Sequence, residues 1–134
     1  MKIQNFRWQD GWPARAVAVA TTAYSLAITI RPEILAKPCR LTNPDGSVPP
    51  EVAELTRSIG TRDAAMAAAL VVSPAGYPMN VLTAARVLSD GADAAWFARV
   101  VPAGHRAKIA GVAAGWAALE LLAAVAGARA GHRS

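Results

Sequence analysis

From Val81 to Val101 apolar residues run for the length of a membrane-crossing helix, and three charged residues inside the run, Arg86, Asp90 and Asp93, fall at i, i+4 and i+7. At helical pitch these three share one stripe, while Ala84, Leu88, Gly91 and Ala95 occupy the opposite side. The pattern predicts a helix with one charged face and one bland face. Three other apolar runs predict helices too: Ala14 to Ile30 behind Trp8, Trp12 and Pro13; Ala64 to Val72 behind Thr61-Arg62-Asp63; and Ile109 to Ala128. The expected fold is all-α, a four-helix transmembrane bundle formed as a single domain over residues 1–134.

The polar connections complete that outline. Arg31 to Pro50 is rich in proline and holds the turn sequence Asn43-Pro44-Asp45-Gly46, so it reads as a long loop between the first and second spans. Val52, Leu55 and Ile59 repeat at i, i+3 and i+7 among Glu51, Glu54 and Arg57, which predicts a short amphipathic helix at the membrane interface. Gly60 then interrupts. The run from Ala64 to Val72 is too short to cross alone, so the helix either begins near Glu51 and bends at Gly60, or lies tilted among its neighbours. Asp63 has two readings, as part of a charged site or as an acid in a first helical turn capped by Thr61. Thr22, Ser25 and Thr29 form a mildly polar side of the first helix that either faces the charges of the third or bonds its own preceding turn.

Composition narrows the setting. Hydrophobic residues make up 54% of the 134 residues at a mean hydropathy of +0.27, a modest value that keeps a soluble alanine-rich bundle as an alternative to the integral, multi-pass membrane protein. The net charge of +5 comes from arginines scattered at segment ends, with no basic run interleaved with aromatics. Membrane lipids, not nucleic acid, are the expected partners. The single cysteine, Cys39, excludes an internal disulfide, and the Cys and His spacing offers no zinc site; His105 and His132 read as solvated. With no phosphate-binding glycine loop, nucleophilic triad, haem or flavin motif, neither a metal nor a cofactor is expected.

The candidate chemistry lies in the charges that the apolar runs carry. Asp90, Asp93 and Glu120 are the candidate catalytic acids, and Arg62, Asp63, Arg86 and Trp116 the candidate binding residues. Carboxyls in unequal environments can hold different protonation states, as acid/base isomerisation or cyclisation of a lipophilic molecule requires. The competing reading is non-enzymatic: the same charges are ion pairs that fix helix pairing in a structural or accessory protein. In the fourth run Gly111 and Gly115 form a ridge of small residues suited to close helix approach, within the chain or in an oligomer.

Gly60-Thr61-Arg62-Asp63, the Arg86, Asp90, Asp93 stripe and the Arg31-Pro32-Glu33-Ile34-Leu35 run together resemble small four-helix integral membrane proteins, loosely DoxX-like, of actinobacterial type. The resemblance extends over most of the chain. It implies a four-helix membrane bundle and carries no shared reaction.

Overall fold

The computed structural model describes residues 11–101 and 103–131; Trp8 and the charges of the N-terminal segment lie outside them. Among the described residues the chain is helical without strands, with α1 (Trp12–Ile30), α2 (Glu33–Ala36), α3 (Pro50–Val72), α4 (Tyr77–Val100) and α5 (Ala103–Gly131). Of the four long helices, α1 and α4 each pack on α3 and on α5, so the four close a ring in the order α1, α3, α4, α5. The short α2 lies in the long loop against α1 and α3.

The expected interfacial helix over Glu51 to Ile59 is not a separate element. It forms the first half of α3, an uninterrupted helix of 23 residues. Pro49 in an extended conformation and Pro50 in the first turn start it there, because proline is pre-set for a first turn and disfavours helix in the residue before it. Thr61 and Asp63 therefore lie in mid-helix, and the reading of Thr61 as a cap falls away. The acid in the first turn is Glu51.

Gly60 acts as a contact surface and does not break the helix. Its α3 stripe, Thr56, Gly60, Ala64, Ala67 and Leu70, is buried against an α1 stripe of Ala14, Ala18, Thr21, Ser25 and Ile28. Nearly all of these side chains are small, which lets the antiparallel backbones come close. A Cβ on Gly60 would stand 2.4 Å from Thr29 Oγ1, 2.7 Å from the Ser25 carbonyl oxygen and 2.9 Å from Ile28 Cγ1. The polar side of α1 thus faces α3 and not the charges of α4. Its hydroxyls bond the preceding turn: Thr22 Oγ1 donates to the Ala18 carbonyl and Thr29 Oγ1 to the Ser25 carbonyl, both at 2.8 Å.

Arg15 fastens the other end of this pair. It is buried on α1 and donates to the Val71 carbonyl and, at 2.8 Å, to the Ser73 carbonyl, where α3 ends and its last carbonyls lack helical partners. A tight turn through Gly76, whose φ of 97° suits a residue without Cβ, reverses the chain into α4. Between α4 and α5, Arg106 Nε donates to the Val101 carbonyl at 2.9 Å. In the long loop the Ser47 hydroxyl and backbone N–H both donate to Asp45 Oδ1, and those bonds hold the Asp45 carboxyl below its usual range.

Among the described residues α1 is the helix both long and apolar enough to cross a membrane. At about 1.5 Å per residue the other long helices exceed the roughly 30 Å of a hydrocarbon core. Their charges are what set them apart: α3 carries Glu51, Glu54, Arg57, Arg62 and Asp63, α4 carries Arg86, Asp90, Asp93 and Arg99, and only Ala114–Ala123 of α5 is strongly apolar.

Gly60→Ala should lower stability by about 1–3 kcal/mol in thermal or denaturant unfolding, as overpacking does. Gly111→Ala, where nothing lies within 4 Å of the added Cβ, should be neutral or stabilising by up to about 1 kcal/mol. Equal effects of the two changes would rule out close approach at Gly60. Cys39 is buried, and burial pushes its thiol above its usual pKa. Alkylation by a maleimide at neutral pH should therefore run at least about tenfold slower in the folded chain than after denaturation.

Candidate functional site

The α4 stripe read from the sequence does face inward. Met79, Thr83 and Arg86 are buried and Asp90 and Asp93 partly so, while Ala84, Leu88, Gly91 and Ala95 on the other side are exposed. Arg86 is 3% exposed and is the centre of the site. Its Nε donates to Glu120 Oε1 on α5 at 2.9 Å, its Nη1 to the Asp63 carbonyl on α3 at 3.2 Å, and its Nη2 to Asp90 Oδ2 one turn along α4 at 3.4 Å. One guanidinium thereby joins three helices. Glu120 is 6% exposed, and its second oxygen, Oε2, has no hydrogen-bond partner among the described residues.

A second guanidinium stands on the outer side of this pair. Arg62 on α3 donates to Asp93 across the α3–α4 interface, at 2.5 Å from Nη2 to Oδ2, and to its neighbour Asp63 at 2.9 Å. Arg62 is 41% exposed, so this bridge is partly solvated where the Arg86 pair is not. Asp63, Asp90 and Asp93 each bring one carboxylate oxygen within 4.8 Å of the others, a spacing that a hard cation can span. The spacing of Cys and His gives no sign of this cluster. Here Arg62, bonded to two of the three acids, supplies positive charge to the same cluster.

Six of the seven residues singled out in the sequence thus form one connected network: Arg62, Asp63, Arg86, Asp90, Asp93 and Glu120. Trp116 stands apart. It lies on α5 one turn before Glu120, partly buried, and does not line the nearby cavity. That cavity, about 10 Å³, is bounded by Ala14, Val17 and Ala18 of α1, Leu70 of α3, Thr83 and Arg86 of α4, and Glu120 of α5. Gly111 and Gly115 are exposed, and among the described residues nothing lies within 4 Å of a Cβ added at either, so the described helices do not pack through that ridge. His132 and the side chain of His105 lie outside the described residues.

The sequence reading missed Arg15, which it took for a flanking arginine, and Thr83, which lies one turn before Arg86 on the same stripe. The i−3 spacing to Arg86 was the available signal for Thr83. Arg15 bonds carbonyls that lie 56 and 58 residues away, a distance that helical spacing does not reveal. No protein-family model, curated protein or solved structure matches the chain.

Arg86→Met removes the donor of a buried carboxylate and should cost about 3–5 kcal/mol of stability. Arg62→Met, at a half-solvated bridge, should cost about 1 kcal/mol or less. Denaturant unfolding of the two variants against the parent checks the order, and an Arg62 effect as large as that of Arg86 would mean that the outer bridge is the main fastening.

Proposed function

We propose that the chain is a small multi-pass membrane protein, of the kind its resemblance to DoxX-like four-helix proteins suggests, in which the arginine–carboxylate network pairs helices and catalyses no reaction. The observation that carries this reading is the distribution of polarity. Arg15, Thr21, Ser25, Thr56, Thr83, Arg86 and Glu120 are buried, whereas Val19, Leu26 and Ile30 on α1, Leu88 and Trp96 on α4 and Leu122 on α5 face outward. Leu88 is 74% exposed and Ile30 75% exposed. Large apolar side chains on the outer faces of the helices, with charges paired inside, suit lipid.

Pairing is favoured over catalysis because the space beside Glu120 is about 10 Å³, far below the few hundred Å³ typical of a small-molecule pocket. A second reading keeps a role for the outer end of the network. Arg62, Asp63 and Asp93 are reachable from the surface, and an amphiphile could set its polar head there with Asp90 behind it. On that reading Asp90 and Asp93 are the acids that touch the ligand, and Glu120 only positions Arg86. Oligomerisation through the outward Gly111 and Gly115 fits either reading.

Membranes from expressing cells, washed with alkaline carbonate, should retain the protein, and detergent should release it folded. A folded monomer recovered without detergent would overturn the membrane reading. For the pairing role, Arg86→Met combined with Glu120→Leu should recover at least half of the stability lost in Arg86→Met alone, since removing both members of a buried pair costs less than removing one. Failure of the double variant to recover any stability would count against pairing as the role of these charges.

A further inference from the structure

We propose that the corner where α4 meets α5 binds the phosphate of an anionic phospholipid, with Arg99 and Arg106 as the cations that hold it and Trp96 as the platform beneath Arg99. The inference deepens the membrane reading and rests on it. Its starting point is the order of side chains along the outer face of α4. Leu88, Gly91, Ala95 and Arg99 fall at i, i+3, i+7 and i+11 and all four are exposed, so this outward stripe is apolar until its last turn and ends in a cation. Trp96 stands exposed beside it, with the Arg99 guanidinium 5.1 Å from its ring centroid. From Leu88 to Arg99 the axis advances about 16 Å, roughly half of a hydrocarbon core. Hydrocarbon, then indole, then guanidinium is the order of a helix leaving a bilayer through its headgroup layer.

The next helix repeats that order from the other direction. α4 ends at Val100 and α5 begins at Ala103, and Arg106 ties the two together, donating from Nε to the Val101 carbonyl at 2.9 Å and from Nη2 to the Arg99 carbonyl at 3.5 Å. Arg106 is exposed, and the outward positions that follow it, Ala107, Gly111, Gly115, Ala118 and Leu122, are apolar. Both helices therefore turn basic at the same end. No acid offsets that charge locally: the sequence from Ala94 to Leu119 contains no Asp or Glu, and the acids that bound it, Asp93 and Glu120, are bonded to Arg62 and Arg86. Among the described residues neither Arg99 nor Arg106 enters an ion pair, whereas Arg57, Arg62 and Arg86 each have a carboxylate. A guanidinium has five N–H groups, and Arg106 keeps three of them beyond its two carbonyl bonds. The corner selects an anion with several oxygens that sits at the rim of an apolar layer. A phospholipid phosphate meets both conditions; free phosphate and an acidic polypeptide meet only the first.

Calorimetric titration of the purified full chain in a neutral detergent, with phosphatidylglycerol or phosphatidylcholine of the same chain length, tests the site. Phosphatidylglycerol should bind at least about tenfold more tightly, and Arg99→Gln with Arg106→Gln should remove the preference, about fivefold for each arginine. Arg57→Gln, which takes away the same charge elsewhere, should keep it. If the double variant does not fold, Arg99→Gln alone, which breaks no hydrogen bond to the chain, should weaken the preference about fivefold. Equal affinity for the two lipids, a preference that survives the arginine changes, or one that Arg57→Gln removes as well would overturn the assignment. Equally tight binding of inorganic phosphate or polyglutamate would overturn it too. Flotation with phosphatidylcholine vesicles separates the two levels of the argument: a chain that floats but shows no headgroup preference sinks the site alone, and one that does not float sinks the membrane reading with it.

Discussion

A guanidinium cannot be neutralised inside a protein, so the burial of Arg86 is the condition that the surrounding structure has to meet. Its acceptors come from three directions: a carboxylate on α5, a carboxylate on its own helix and a main-chain carbonyl on α3. No one helix could satisfy it. The position of α5 relative to α4, and of α4 relative to α3, is in this sense specified by one side chain. Small-residue packing elsewhere is compatible with several registers, whereas a buried charge with directional donors is compatible with very few.

Two kinds of contact therefore hold the ring together. Between α1 and α3 the chain removes side chains, placing Gly60, Ala64 and Ala67 opposite Ala18, Ser25 and Ile28, and attraction comes from close backbones. Between α3 and α4 it adds charge instead, through Arg62 with Asp93 and Arg86 with the Asp63 carbonyl. The first contact is short-ranged and insensitive to polarity. The second weakens as water reaches it, and its outer half is already partly solvated.

The sequence disclosed the α4 stripe because helical pitch alone puts Arg86, Asp90 and Asp93 on one side, and an interior location is the cheapest place for them. Glu120 was legible for the same reason, as an acid in an apolar run. What the sequence did not disclose depends on partners distant along the chain. Gly60 reads locally as a helix breaker, and only the approach of Ser25 and Thr29 turns it into a contact surface. Gly111 and Gly115 err in the opposite direction: their spacing suggests packing, yet nothing among the described residues meets them. Trp116 shares the side of α5 that carries Glu120, but one turn of displacement along the axis is enough to leave it out of the network.

The bond from Arg15 to the end of α3 also bears on the order in which the chain can be finished. Its two carbonyl acceptors belong to residues made 56 and 58 positions later, after the long loop and the whole of α3. A ribosome adding roughly 5–20 residues per second therefore leaves α1 for several seconds before either of these two carbonyls exists. The N-terminal third of the protein is thus built to wait for the segment that completes it.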